Sequence, residues 1–223
     1  MTRKAPVPVP LTLAVATLKG GSGKSTVAAA LAVRWQMQAR TTCIIDADPQ
    51  QSLLRLAARE RALGGVKVHA CADDGAQLQG LIRQLAPLND RVLIDTAGFR
   101  AKATLEALAL ADLVLVPVKP SPLDVDVMMD TARALLNQQG GVLRRFACVL
   151  TQTTRESVIA RHIRQELEAA GFPLLQTELT NRVAYPEAAL FGATPSLTEP
   201  RGAAAAEIRM LADEVDQWWK EAN

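Results

Sequence analysis

The sequence predicts an α/β fold, a mostly parallel twisted sheet with helices on both faces. Three observations carry this. Short apolar runs that open the stretches 13–26, 42–52, 91–98 and 111–124, and one at 146–151, are separated by segments of helical periodicity, the signature of repeated βαβ units. Two of the runs end in carboxylates, Asp46 and Asp95, as parallel strands do when they deliver functional groups to the carboxyl edge of a sheet. The first run passes through a glycine-rich turn directly into a segment whose apolar positions Ala28, Leu31, Ala32 and Trp35 recur at helical spacing. With 223 residues the chain suffices for one well-buried domain and is short for two.

Residues 1–10 carry Pro6, Pro8 and Pro10 and have little to bury, so they read as a flexible proline-rich tail ahead of a single domain over 11–223. The turn that follows the first strand is the chemical centre. Gly20, Gly21 and Gly23 leave the backbone N–H groups free to close on an anion, and the helix behind them adds its own unpaired N–H groups and positive dipole end. Lys24 can reach the β- and γ-phosphates of a nucleotide, and the Ser25 hydroxyl can sit on Mg²⁺. A strict Walker A loop has glycine at the position of Leu18; here a second lysine, Lys19, stands at the mouth of the loop instead.

The run at 42–47 opens into Asp46-Ala47-Asp48-Pro49-Gln50, where alternation puts Asp46 and Asp48 on one side of the chain. Helical patterning follows over 52–63, and a short strand fits 66–70. A helix fits 73–85, capped by Asp73 or Asp74. The run at 91–96 ends in Asp95-Thr96-Ala97-Gly98, with the chemistry of a Walker B strand: Asp95 accepting from Mg²⁺-bound water and the Gly98 turn close to a γ-phosphate. In the segment 111–124 an apolar run gives way, through prolines at 117, 120 and 122, to an exit into a helix starting near Asp124. The helix over 156–170 is expected to turn Ile159, Ile163 and Leu167 inward and Arg161 and Arg164 outward. Residues 172–175 fit a last strand. In the closing helix, 203–219, Ile208, Leu211, Ala212, Val215 and Trp219 form one stripe, with Glu207, Asp213, Glu214 and Asp216 opposite as an acidic face.

The string Lys19-Gly20-Gly21-Ser22-Gly23-Lys24-Ser25-Thr26, together with Asp46-x-Asp48-Pro-Gln, Asp95-Thr-Ala-Gly and the segment 111–124, resembles the deviant Walker A ATPases of the ParA/MinD family. The likeness runs from Leu11 onward and is nearest to small ParF-type partition proteins. It implies a P-loop NTPase fold of the SIMIBI type, with ATP and Mg²⁺ as cofactors. Nucleotide contacts would come from Lys19 through Thr26 and from Asn181 and Arg182, which lie where the family shapes its adenine pocket. Asp46, Ser25 and Asp95 would hold the metal and its hydration shell, while Lys19, Lys24 and Asp48 would serve catalysis, Asp48 on the attacking water and Lys19 across a dimer interface.

By the same resemblance the protein is expected to form a homodimer when ATP-bound, to bind DNA non-specifically, to hydrolyse ATP slowly and to drive plasmid or chromosome partition. A small centromere-binding protein would be its partner and the nucleoid its location. The net charge of +2 requires a local patch for any DNA contact, and the candidates are Arg161, Arg164, Arg182 and Arg201, with Arg144 and Arg145 behind them. A MinD-like membrane role is disfavoured, because an acidic closing helix is repelled by anionic lipid. A VirC1-like protein positioning another cargo has the same chemistry. Metabolic ligases and iron–sulfur reductases of this broad fold are disfavoured, since the three cysteines form no Cys-x-x-Cys pair. No run of eighteen apolar residues and no signal core is present, so a cytoplasmic protein is expected. His69 and His162 lie away from every motif.

Overall fold

The computed structural model describes residues 10–17, 21–72, 75–98, 101–121 and 145–221. The expected tail over 1–9, Lys19 and Gly20, the caps Asp73 and Asp74, the helix starting near Asp124, and Arg144 lie outside the described residues.

Among the described residues seven strands form one sheet: β1 (Leu11–Val15), β2 (Thr42–Ala47), β3 (Lys67–Ala70), β4 (Arg91–Thr96), β5 (Leu113–Val118), β6 (Arg145–Thr153) and β7 (Leu179–Thr180). Their order is β3-β2-β4-β1-β5-β6-β7. Every pairing is parallel. Because side chains alternate along a strand, each strand feeds two cores. Leu11, Leu13 and Val15 of β1 join Ile44 and Leu93 on one face, and Ala14 and Ala16 join Ile45 and Ile94 on the other.

The first face is covered by α1 (Lys24–Met37) and α8 (Ala203–Glu221), with the short α2 (Ser52–Ala57) beside them. Helix α1 is sandwiched between sheet and helices, so it buries nearly its whole circumference, from Val27 through Val33 and Trp35. The second face is covered by α3 (Gly75–Leu85), α4 (Lys102–Leu110) and α5 (Val158–Ala169). Two short helices, α6 (Ala184–Leu190) and α7 (Pro195–Thr198), form a strap between β7 and α8.

Four expectations need correction. Residues 172–175 supply only an isolated bridge between Leu174 and Cys148, because Pro173 has no N–H to extend a ladder; the sheet edge is taken by β7 instead. Helical patterning over 52–63 breaks after Ala57, and the chain turns through positive φ at Ala62 and Leu63. In α5 the inward stripe is Ala160, Ile163 and Leu167, which leaves Ile159 exposed one position out of phase. Arg164 is not solvated: it donates to the Leu175 carbonyl at 3.2 Å and to Glu178 at 2.8 Å.

Three of the four acids of α8 also differ from a solvated face, while Asp213 stays exposed as expected. Asp216 is buried and pairs with Arg91 at 2.7 Å and Arg40 at 3.1 Å, and Arg91 lies over the Trp35 ring. Glu214 accepts from the Gln176 and Thr177 N–H groups, and Glu207 binds Thr180 and Arg182. These carboxylates dock the helix onto the β6–α6 connection, so they cannot act as a free acidic surface.

Candidate nucleotide site

The sheet places the two acid-tipped strands side by side. Asp46 of β2 and Asp95 of β4 are register partners, and Asp95 is also the partner of Val15, the residue at the end of β1 from which the glycine-rich loop departs. Both carboxylates are fully buried. Two like charges so placed raise each other's cost of ionisation, and desolvation dominates that cost. Burial pushes the Asp95 carboxyl up to about 7; the Ser25 hydroxyl and the Lys24 ammonium nearby oppose the shift and Asp46 adds to it. Apart from the approach of the Ser25 hydroxyl, the Asp95 oxygens have no hydrogen-bond partner among the described residues.

Asp46 has a different environment. Its Oδ2 accepts from the N–H groups of Leu53 at 2.9 Å and Leu54 at 3.0 Å, and Oδ1 accepts from the Asp48 N–H at 3.3 Å. Burial raises its carboxyl while these three N–H groups pull it back. Asp46 thereby satisfies open N–H groups at the start of α2, a duty unforeseen when its neighbourhood is read as a linear motif. Asp48 is half-exposed in the turn beyond the strand, where Oδ1 accepts from the Gln50 N–H at 2.8 Å.

Gly21 at φ +83° and Gly23 at φ +90° take the left-handed conformations that a tight loop requires and that side chains resist. Gly23 leads straight into α1, so Lys24, Ser25 and Thr26 occupy its first turn. A cavity of about 400 Å³ opens beside this turn. It brings together Gly23, Ser25, Thr26, Asn181 and Arg182 from the sequence-derived candidates. Apolar side chains also line it, Val27 and Ala30 of α1, Leu53 and Leu56 of α2, and Ala189 and Pro195 of the strap. Apolar walls with a few polar groups at one end suit a planar ring joined to an anionic chain.

Arg182 borders the cavity in a fixed pose. Glu207 accepts from its Nε at 3.1 Å and from a terminal nitrogen at 2.6 Å, and also accepts from the Thr180 hydroxyl at 2.8 Å. This pairing raises the Arg182 guanidinium further above its ordinary value. Glu207, Thr151 and Gln152 belong to the site's surroundings yet have no motif to mark them; the acid-rich closing helix was the one available signal for Glu207, while Tyr185 lies in the same segment after the last strand as Asn181 and Arg182. Arg161 and Arg201 are exposed and lie outside the cavity lining.

Among the described residues no group of three or more His, Cys, Asp and Glu forms a ready-made cation site. The donor set of Asp46, Asp95 and the Ser25 hydroxyl nevertheless suits a hydrated divalent cation, because the orphaned Asp95 oxygens need donors and bound water supplies them.

Residues 13–195 match the CobQ/CobB/MinD/ParA nucleotide binding domain. The chain belongs to this family. Among relatives of this ParA/MinD-family chain, the Maintenance of carboxysome distribution protein A of Halothiobacillus neapolitanus is 30% identical over 207 residues, 92% of this chain and 95% of that protein. Protein ParA of Rhizobium radiobacter is 26% identical over 87% of this chain and 89% of that protein. In fold, the septum site-determining protein MinD of Pyrococcus horikoshii, solved in complex with Mg-ADP, superposes with a TM-score of 0.74 at 19% identity, covering 94% of this chain and 97% of that one.

Proposed function

We propose that this ParA/MinD-family chain is an ATP-driven positioning ATPase that binds MgATP, dimerises across the bound nucleotide, holds non-specific DNA while dimeric, and resets by slow hydrolysis. The observation that carries the reading is the in-register pair Asp46 and Asp95 beside the Ser25 end of the glycine-rich loop, with both Asp95 oxygens buried and, Ser25 apart, unpartnered among the described residues. In this reading Gly20 to Thr26 cradle the phosphates, Lys24 offsets their charge, Ser25, Asp46 and Asp95 hold the metal and its waters, and Asp48 orients the attacking water. Bound Mg²⁺ would neutralise charge on the phosphate oxygens. Asn181 and Arg182 border the base, and Lys19 reaches the nucleotide of the facing protomer, so the dimer lasts only while the γ-phosphate remains.

DNA contacts are assigned first to Arg161 and Arg201, which are exposed; Arg164 and Arg182 carry ion pairs to Glu178 and Glu207 with which a phosphate has to compete. Retention on random duplex DNA should then weaken with salt, with a log–log slope of about −0.9 per phosphate contact. Among the described residues no helix is long and apolar enough to cross a membrane, and the apolar stripe of α8 is buried in the core, which disfavours a lipid-binding end. Plasmid or chromosome partition, with a small centromere-binding partner and a nucleoid location, is one form of this function. Positioning of another cellular cargo is the second, supported by 30% identity to a carboxysome distribution protein.

The deciding experiment is the solution mass of the protein with ADP, with ATP and with a non-hydrolysable ATP analogue, repeated for Lys19→Ala. A monomer that dimerises only on the triphosphate, and loses that response without Lys19, is the expected outcome. An unchanged mass in every state would overturn the switch.

A further inference from the structure

Two side chains at the carboxyl end of β6 grip the glycine-rich loop. The Thr151 hydroxyl donates to the Ser22 carbonyl at 2.8 Å, and the Gln152 amide nitrogen donates to the Gly21 carbonyl at 2.7 Å. Both contacts join parts of the chain about 130 residues apart. Thr151 and Ser22 are buried. Gln152 sits at φ +53°, a conformation that strains any residue with a side chain, and its amide lies 3.7 Å from where a Cβ on Gly23 would stand.

A loop built on Gly21 and Gly23 has little of its own to fix its conformation, since glycine surrenders the most backbone freedom on ordering. External restraint is therefore informative about which way its peptides face. In a planar trans peptide the carbonyl and the following N–H point in opposite directions, and no described peptide bond is cis. Drawing the Gly21 carbonyl toward Gln152 turns the Ser22 N–H away from β6. Drawing the Ser22 carbonyl toward Thr151 does the same to the Gly23 N–H. Inward N–H groups of successive loop residues are what an anion at a helix N-terminus is held by.

We infer that Thr151 and Gln152, which line the same cavity as Gly23 and Ser25, are positioning residues that preset the orientation of the loop's peptide groups for phosphate. The inference rests on the nucleotide reading of the site. It also accounts for the strain at Gln152: the left-handed backbone is where its amide reaches Gly21, and a loop held in advance loses less freedom when the anion arrives.

The test uses the full chain and four variants. Gln152→Gly removes the amide and relieves the φ +53° strain, so its melting temperature should equal or exceed that of the wild type. Thr151→Val removes the hydroxyl, Thr151→Ser keeps it, and Gln152→Glu replaces the donor by an acceptor that faces a carbonyl. Affinities are measured for MgATP and for adenosine, which lacks the group the loop would hold. Gln152→Gly, Gln152→Glu and Thr151→Val should each lose about three- to tenfold in MgATP affinity, the worth of one net hydrogen bond, with adenosine affinity changed less than twofold and Thr151→Ser restoring the wild-type value. MgATP affinity of Gln152→Gly within twofold of wild type, or MgATP and adenosine falling in step, would overturn this inference alone. A wild-type chain that binds neither would overturn the nucleotide reading, and the inference with it.

Discussion

Asp46 Oδ2 accepts a hydrogen bond from the Leu53 N–H at 2.9 Å, so the carboxylate that ends β2 also anchors the start of α2. Replacing it therefore has a stability cost separate from any effect on a metal. Asp46→Ala should lose about 1–3 kcal/mol in urea denaturation, from N–H groups left without an acceptor. Asp46→Asn keeps one oxygen for Leu53 and Leu54 and should lose less. Equal stability of the alanine variant and the wild type would mean that α2 does not depend on this carboxylate.

Asp216 neutralises Arg91, whose side chain is only 3% exposed. Asp216→Ala removes the carboxylate from that buried guanidinium, which keeps its bond to the Asp90 carbonyl at 2.7 Å, at a cost of about 3–5 kcal/mol. Because Arg91 lies 5.5 Å from the Trp35 ring centroid, tryptophan emission should change in the folded variant as well. An exposed ion pair would give neither result.

Gly192 holds the strap against α2. At φ +69° a Cβ here would stand 2.7 Å from the Leu56 carbonyl oxygen, which is backbone and cannot swing aside. The Leu63 N–H donates to the Gly192 carbonyl at 2.8 Å, fixing the approach from the other side. Gly192→Ala should lose about 1–3 kcal/mol by overpacking and backbone strain, read as a lowered melting temperature. Because the strap walls the cavity, a nucleotide at near-saturating concentration should recover part of that loss.

Burial pushes the Cys43 thiol up to about 11 and the Cys148 thiol up to about 12. Below about pH 8.5 each thiol is protonated whether the chain is folded or not, so no stability depends on it there. As pH rises past that value the unfolded chain ionises and the folded one resists, so the thiol contribution to stability falls progressively toward pH 11–12. The native protein should resist iodoacetamide at both positions at pH 8 and react fully in denaturant, as mass spectrometry would show.

Glu207 clamps Arg182 with bonds of 2.6 and 3.1 Å while also holding Thr180. Glu207→Ala should release both and lower nucleotide affinity, with Glu207→Gln intermediate because its amide retains one acceptor. Fluorescent-nucleotide titration measures this. Unchanged affinity in Glu207→Ala would remove Arg182 from the proposed base-side contacts.

Sequence alone determined the alternation of strands and helices, the glycine-rich loop between the first strand and its helix, and the two acid-tipped strands. These are local properties. A parallel strand buried on both faces is a continuous apolar run, and a glycine-rich turn between strand and helix has few other uses. Partners brought together from distant parts of the chain were decided by tertiary structure. No periodicity marks Thr151 and Gln152 as the residues behind Ser22 and Gly21, because that contact exists only once β6 has taken its place beyond β5. The acids of α8 read as a solvated face since they lie opposite the apolar stripe; in the folded chain that side meets Arg91, Thr177 and Arg182, and burial with paired donors replaces exposure. Asp46 and Asp95 were each legible as the end of a strand, but their adjacency required the order β2-β4-β1, which strand sequence does not encode and the crossover connections impose.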